Sequence, residues 1–154
     1  MGRLLELSMT DDPSLRAPWH LWVLGVVTLL YGLLAAYDSV QTLVAGEDYM
    51  RASGMTDAQL SYFTSTPWWF DSASFVSVWS GLLAAVALLV RKRIAALLYA
   101  VSAAATFVSA IYLYFLSDGP AAMGNLRYAP IVIGTVMALM ALYAYGLAKR
   151  GVLT

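Results

Sequence analysis

Cysteine is absent from this chain of 154 residues, which excludes disulfides, a thiolate nucleophile, iron–sulfur sites and cysteine-type zinc sites. Histidine occurs once, at His20, so bis-histidine haem ligation and multi-histidine metal centres are excluded within the chain. His20 stands between Trp19 and Trp22 at the start of an apolar run, where an interfacial imidazole needs no further reason. The only lysines, Lys92 and Lys149, flank the ends of apolar runs, and no lysine is left mid-membrane for a retinal Schiff base. Charge is scarce as well: 12% of residues are Asp, Glu, Lys or Arg, about half the share of an ordinary soluble domain. Nine basic residues balance nine acidic ones, leaving no basic surface to hold nucleic acid by counterion release. There is no Ser-His-Asp set, HExxH helix, phosphate loop or dinucleotide fingerprint. Neither an enzyme nor a bound cofactor is expected.

Apolar residues are what the chain has, at 61%. A core this small could not hide that excess from water, so the composition predicts an integral membrane protein. A bilayer core of about 30 Å takes roughly 20 apolar residues in a helix. Four such helices are expected, over about 19–44, 67–90, 94–117 and 128–148. The second ends at Arg91-Lys92-Arg93, the third at Asp118-Gly119-Pro120, and the fourth at Lys149-Arg150-Gly151, basic residues followed by a capping glycine.

Lys and Arg resist translocation, so their placement predicts orientation. Arg3, Arg16, the Arg91-Lys92-Arg93 turn, Lys149 and Arg150 fall on one side, and only Arg51 and Arg127 on the other. The expected fold is all-α: a four-helix antiparallel membrane bundle with both termini cytoplasmic. Residues 1–18 form a cytoplasmic segment, 19–148 the transmembrane domain and 149–154 a cytoplasmic tail. Aromatic residues mark the same boundaries. Trp19, Trp22, Tyr143 and Tyr145 lie at the cytoplasmic side, and Trp68, Trp69, Phe70, Tyr112, Tyr114, Phe115 and Tyr128 at the outer side. Met1-Gly2 does not read as a myristoylation signal, since Glu6 stands where that pattern needs Ser or Thr. The first apolar run is too long for a signal peptide and has no small-x-small cleavage site, so it is expected to stay as a span.

The outer loop over 45–66 contains Thr56-Asp57-Ala58-Gln59, the spacing of a capping box, and predicts a short interfacial helix over 57–63. Pro67 suits the first turn of the second span, with Thr66 as its expected N-cap. Small residues four apart let membrane helices approach closely. Gly32/Ala36, Gly81/Ala85, Ala105/Ser109 and Gly134/Ala138 are the candidate helix contacts.

Ionisable groups inside a membrane are functional candidates, and none lies near the expected midplane here. Asp38 and Asp71 fall at similar depth, just beneath the outer face. Asp71, in a first turn, meets the positive end of the helix dipole. Asp38 nears a helix C-terminus, where the dipole disfavours an anion, and Arg127 or Arg51 could pair with it from the outer loops. A structural boundary role and an outward-facing polar pocket bounded by Asp38, Asp71, Arg127 and Tyr112 are both open.

Trp22, Gly32 through Tyr37-Asp38, Tyr49-Met50, Gln59-Leu60, Tyr62-Phe63 and Pro67-Trp68 form one half of a further pattern. Gly81-Leu82-Leu83, Leu88 through Arg93 with Ala95, and Arg150-Gly151-Val152-Leu153 complete it. In these residues the chain resembles a widespread, uncharacterised family of small bacterial four-helix inner-membrane proteins, some of which carry a transporter label. The resemblance implies that fold, multi-pass insertion in the bacterial inner (cytoplasmic) membrane, and no particular activity.

Two functions fit. The first is a non-catalytic accessory or assembly subunit, seated in the lipid bilayer and packed against other membrane subunits of a larger complex. The second is a small transporter or channel acting as a homo-oligomer. Its polar path would have to come from Thr28, Ser74, Ser77, Ser80, Ser102, Thr106, Ser109 and Thr135, hydroxyls that also serve to join helices.

Overall fold

The structure, a computed structural model, describes residues 17–154; the expected cytoplasmic segment 1–18 lies almost wholly outside the described residues. The chain runs α1 (Trp19–Ala52), α2 (Asp57–Thr64), α3 (Trp68–Leu89) and α4 (Ile94–Ile111). α4 continues as a π-helical turn, Tyr112–Leu116, and then come α5 (Gly119–Met123), a 3₁₀ turn (Gly124–Tyr128) and α6 (Ala129–Lys149). No strand occurs among the described residues. Four segments are long and apolar enough to cross a membrane: Trp19–Ala52, Trp68–Leu89, Ile94–Leu116 and Gly119–Lys149. In lipid, every backbone N–H and C=O must find its partner within the protein, and a helix satisfies them locally. The protein is a helical multi-pass membrane protein.

α3 packs between α1 and α4, and α4 between α3 and α6. Small residues set these approaches. A Cβ on Gly32 would lie 3.1 Å from the Leu82 backbone of α3, one on Gly81 3.0 Å from Ser102 Oγ of α4, and one on Gly134 3.0 Å from the Phe107 ring of α4. Ala36 and Ala85 are buried and Ala138 half-buried; Ser109 is buried and Ala105 half-buried. Gly25, packed against the Leu89 side chain, is a further close approach that small-residue spacing did not single out.

The two ends of the molecule differ. At the turn end, α3 closes through a Schellman arrangement: Arg91 takes φ 58° and the Lys92 N–H donates to the Ala87 carbonyl at 2.8 Å. α6 closes the same way around Gly151 (φ 73°), with Val152 N–H donating to the Leu147 carbonyl at 3.0 Å. Residues 152–154 then fold onto the α3–α4 turn. Arg91 Nε donates to the Val152 carbonyl and Arg93 Nε to the Leu153 carbonyl, each at 3.0 Å, and Thr154 N–H donates to the Arg91 carbonyl at 2.7 Å. Leu153 is fully buried in the core with Leu21, Leu88 and Tyr99.

At the opposite, connector end, α1 continues past Val44 to Ala52 but breaks at Gly46 (φ 54°, ψ −131°), a conformation suited to glycine. α2 carries both halves of its capping box, Gln59 N–H to Thr56 Oγ1 at 3.3 Å and Thr56 N–H to Gln59 Oε1 at 3.0 Å. Thr66 does not cap α3. Its hydroxyl lies 2.8 Å from the Phe63 carbonyl and 2.9 Å from Asp71 Oδ1, and Pro67 takes the N-cap position without a side-chain bond.

Candidate functional site

The site begins with two helix faces that fail to close. Thr28, toward the turn end of α1, is buried and bonded to Tyr99 Oη of α4 at 2.8 Å. Its own hydroxyl lies 2.8 Å from the Leu24 carbonyl. Both hydroxyl protons are used when Thr28 donates to that carbonyl and Tyr99 donates to Thr28. Beyond Gly32 the contact opens into a cleft of about 740 Å³, within the roughly 300–1,000 Å³ of ordinary ligand pockets.

One wall is the α1 face Tyr31, Ala35, Asp38, Ser39 and Thr42, spaced as successive turns of one helix face. The other is the α3 face Asp71, Ser74, Phe75 and Val78, with Phe70 beside it. The roof comes from the chain beyond Gly46: Met50, Met55 and Phe63. The break at Gly46 makes that roof possible. Tyr49 Oη donates to Asp38 Oδ1 at 2.9 Å across 11 residues of sequence, a separation of about 16 Å along an unbroken helix.

Asp38 and Asp71 line this cleft together. Each carboxylate is bonded through Oδ1 alone among the described residues, Asp38 to Tyr49 and Asp71 to Thr66, both at 2.9 Å. No cation among the described residues pairs with either. Arg51 Nη1 bonds Asp57 Oδ1 at 2.9 Å. Arg127 donates from Nη2 to Tyr128 Oη at 2.6 Å and lies over that ring, away from the cleft lining.

Tyr112 does not line the cleft either. It stands behind the Phe70 wall in an aromatic cluster, its ring centroid 5.0 Å from Phe70, 5.2 Å from Trp69 and 6.3 Å from Tyr62. Tyr62 is buried there with no hydrogen-bond partner for its hydroxyl. Burial pushes its phenol up, with the Ser117 hydroxyl acting in the opposite, smaller direction and the Tyr112 phenol adding slightly to the rise. Ser117 Oγ is already committed to the carbonyls of Tyr112 and Leu113 and to the Gly119 N–H.

The remaining hydroxyls join helices. Ser77 Oγ meets Thr106 Oγ1 at 2.6 Å, Ser102 Oγ donates to the Ser77 carbonyl at 2.8 Å, and Ser74 and Ser109 meet at 3.3 Å. Ser80 and Thr135 donate to carbonyls of their own helices, Val76 at 2.6 Å and Ile131 at 2.8 Å. Below the cleft floor the interior narrows to a void of about 30 Å³ among Thr28, Gly32, Gly81, Ser102 and Met137, room for about one water. His20 is bonded through Nδ1 to the Tyr143 hydroxyl and ties the start of α1 to α6.

The sequence placed the two carboxylates at one depth but did not reveal the roof residues Met50, Met55 and Phe63 or the bond from Tyr49 to Asp38. The available signal was Gly46, eight residues beyond Asp38, where a left-handed backbone ends the straight run. No group of three or more metal-ligating side chains occurs among the described residues. Neither a family model, nor a curated protein, nor a solved structure matches the chain.

Proposed function

We propose that this protein is a non-catalytic subunit of the bacterial inner membrane. It forms a four-helix antiparallel bundle with both termini cytoplasmic and packs against a larger membrane complex. The turn end then faces the cytoplasm and the connector end, with the cleft, faces outward. The observation that carries this reading is how the polar groups and the apolar surface divide. The span hydroxyls are taken up by helix contacts and helix carbonyls, and the interior below the cleft is a void of about 30 Å³, which gives no route through one copy. Meanwhile only 28–39% of each span's apolar window is buried, so most of every helix is left for lipid or for another protein. α1 and the last span are the least buried, at 28% each, and Val23, Val26, Val27, Leu30, Leu33 and Leu34 are all exposed along α1.

The test is gentle extraction of the tagged protein, native sizing and mass spectrometry, with a photo-crosslinker at Leu34 on the exposed face of α1. One large membrane protein at fixed stoichiometry, crosslinked through Leu34, supports the reading. Migration alone or as a homo-oligomer overturns it.

A second reading, a small homo-oligomeric transporter, is favoured by one observation: Asp38 and Asp71 share a cleft large enough for a ligand. Flux that disappears in Asp38→Asn and Asp71→Asn, in a protein that sizes as a homo-oligomer, would bring it forward.

A further inference from the structure

We infer that the α1–α3 cleft binds an amphipathic organic cation, with its positive group held between Asp38 and Asp71 and its apolar body lying along the cleft toward Tyr31 and Val78. The inference concerns what the cleft takes and is independent of whether the protein works as a subunit.

Three features on independent parts of the chain fix that class. The cavity is about 740 Å³ and is lined for most of its depth by Tyr31, Ala35, Phe70, Phe75, Val76 and Val78, an apolar interior that receives hydrocarbon or aromatic rings. Asp38 and Asp71 each stand seven residues from the deepest lining residue of their own helix, Tyr31 and Val78. Seven residues of helix span roughly 10 Å, so each carboxylate stands two turns from an apolar end of its wall, with Ala35 between on α1 and Ser72, Ser74, Phe75 and Val76 between on α3. Finally, both carboxylates lack a cationic partner among the described residues, and each has one oxygen held by a neutral hydroxyl while the other is left without a partner.

Asp38 and Asp71 are both exposed at the cleft, and a cation entering it gains Coulomb attraction from two carboxylates that no cation of the described residues neutralises. A bare metal ion would satisfy the charges but not the apolar body, and a neutral hydrocarbon the reverse. A quaternary ammonium, phosphonium or protonated amine joined to an apolar body satisfies both, and the Phe70 and Phe75 rings add cation–π attraction. Such a cation reaches the cleft either as a free amphiphile or as the amine headgroup of a lipid.

The test measures equilibrium binding of tetraphenylphosphonium to the purified full chain in maltoside micelles, with empty micelles as baseline. Neutral triphenylphosphine oxide serves as the uncharged comparison. Saturable binding of the phosphonium, with little of the oxide, is expected. Asp38→Asn and Asp71→Asn should each weaken it about tenfold, and Asp118→Asn, outside the cleft, should leave it unchanged. Ser39→Trp fills the cleft with both carboxylates in place and should abolish binding; it decides the matter if the aspartate variants do not elute as single species. Competition by added phosphatidylethanolamine assigns the cation to a lipid, and its absence to a free amphiphile, both within the inference. No saturable binding by the wild type, equal binding of the oxide, or unchanged binding in the Asp38→Asn/Asp71→Asn double variant overturns it.

Discussion

Tyr62 shows how much a single buried hydroxyl can weigh. It sits among Phe63, Phe70 and Tyr112 with its oxygen buried and unbonded, so the phenol contributes packing and a desolvation cost without a compensating hydrogen bond. Tyr62→Phe keeps the ring and is expected to leave thermal stability unchanged or raised. The substitution also has a pH signature. Burial raises the folded-state pKa of Tyr62, so below about pH 10 the phenol is protonated in both folded and unfolded chains. As pH climbs past that value the unfolded chain loses its proton first, and stability falls until the raised folded pKa is passed. Melting curves of wild type and Tyr62→Phe should therefore diverge above about pH 10, the variant losing less. A steeper alkaline loss in the variant would count against this account.

Glycine supplies the other residue-scale contrast. A Cβ at Gly32 would press on the Leu82 backbone at 3.1 Å, whereas one at Gly146 would meet nothing within 4 Å. Gly32→Ala is expected to cost about 1–3 kcal/mol through forced backbone shifts, and Gly146→Ala to cost nothing or to gain from better helix propensity. Unfolding of the two variants in detergent checks the difference. Spacing in the sequence pointed to Gly32, Gly81 and Gly134 because small residues four apart mark close approach. It passed over Gly25, which meets Leu89 without a small residue four positions on.

Among the elements, α1 departs furthest from expectation. Hydropathy falls off after Val44 and suggests a span ending there, yet helix resumes beyond Gly46 as far as Ala52. The resumed turn brings Tyr49 back to Asp38 and Met50 over the cleft. Hydropathy could not reveal this, because the bend comes from one residue's backbone dihedrals and the return contact joins two polar groups outside any apolar pattern. The capping box of α2 was legible because its two hydrogen bonds are local and need only the Thr-x-x-Gln spacing. The N-cap of α3 was misread because Thr66 had two other acceptors, the Phe63 carbonyl and Asp71, that only the folded connector places within reach. Gly46→Ala tests the bend. With nothing within 4 Å of its Cβ, any penalty is backbone strain, about 1–3 kcal/mol. The variant should also label faster at Asp38 with a water-soluble carbodiimide, since the Tyr49 hydroxyl would no longer be bonded to its Oδ1. Unchanged melting and unchanged labelling would show that the bend tolerates a side chain.

At the scale of the molecule, each of the four apolar runs read from the sequence overlaps one of the four helical segments long and apolar enough to cross a membrane, because length and apolarity alone set that pattern. The pairing of Asp38 with Asp71 in one cleft depends on how α1 leans against α3, which no local signal encodes. Nor did sequence suggest that residues 152–154 would join the core. Leu153 is fully buried beside Leu21, Leu88 and Tyr99, and the backbone around it is bonded to Arg91 and Arg93. Leu153→Ala is expected to destabilise by about 2–5 kcal/mol, the cost of a cavity in a packed core. A shift in melting temperature no larger than that of an exposed leucine such as Leu142→Ala would show the tail to be peripheral.

The uneven attachment of α1 has a mechanical consequence. At one end the helix is fastened by the His20–Tyr143 and Thr28–Tyr99 bonds and by Gly25 seated on Leu89; at the other, the cleft separates its wall from α3, and the polar ties are those of Tyr49 and Gln41 back to the same helix and of Arg51 to Asp57 at the start of α2. A rod held more firmly at one end bends most toward the other, so thermal motion in α1 should rise along its length from Thr28 toward Thr42. Amide exchange would record this as a gradient within a single helix, slow near the clamp and faster beside the cleft. In such a cantilever, whatever enters between α1 and α3 works against a stiffness set some distance away, at Thr28 and Tyr99.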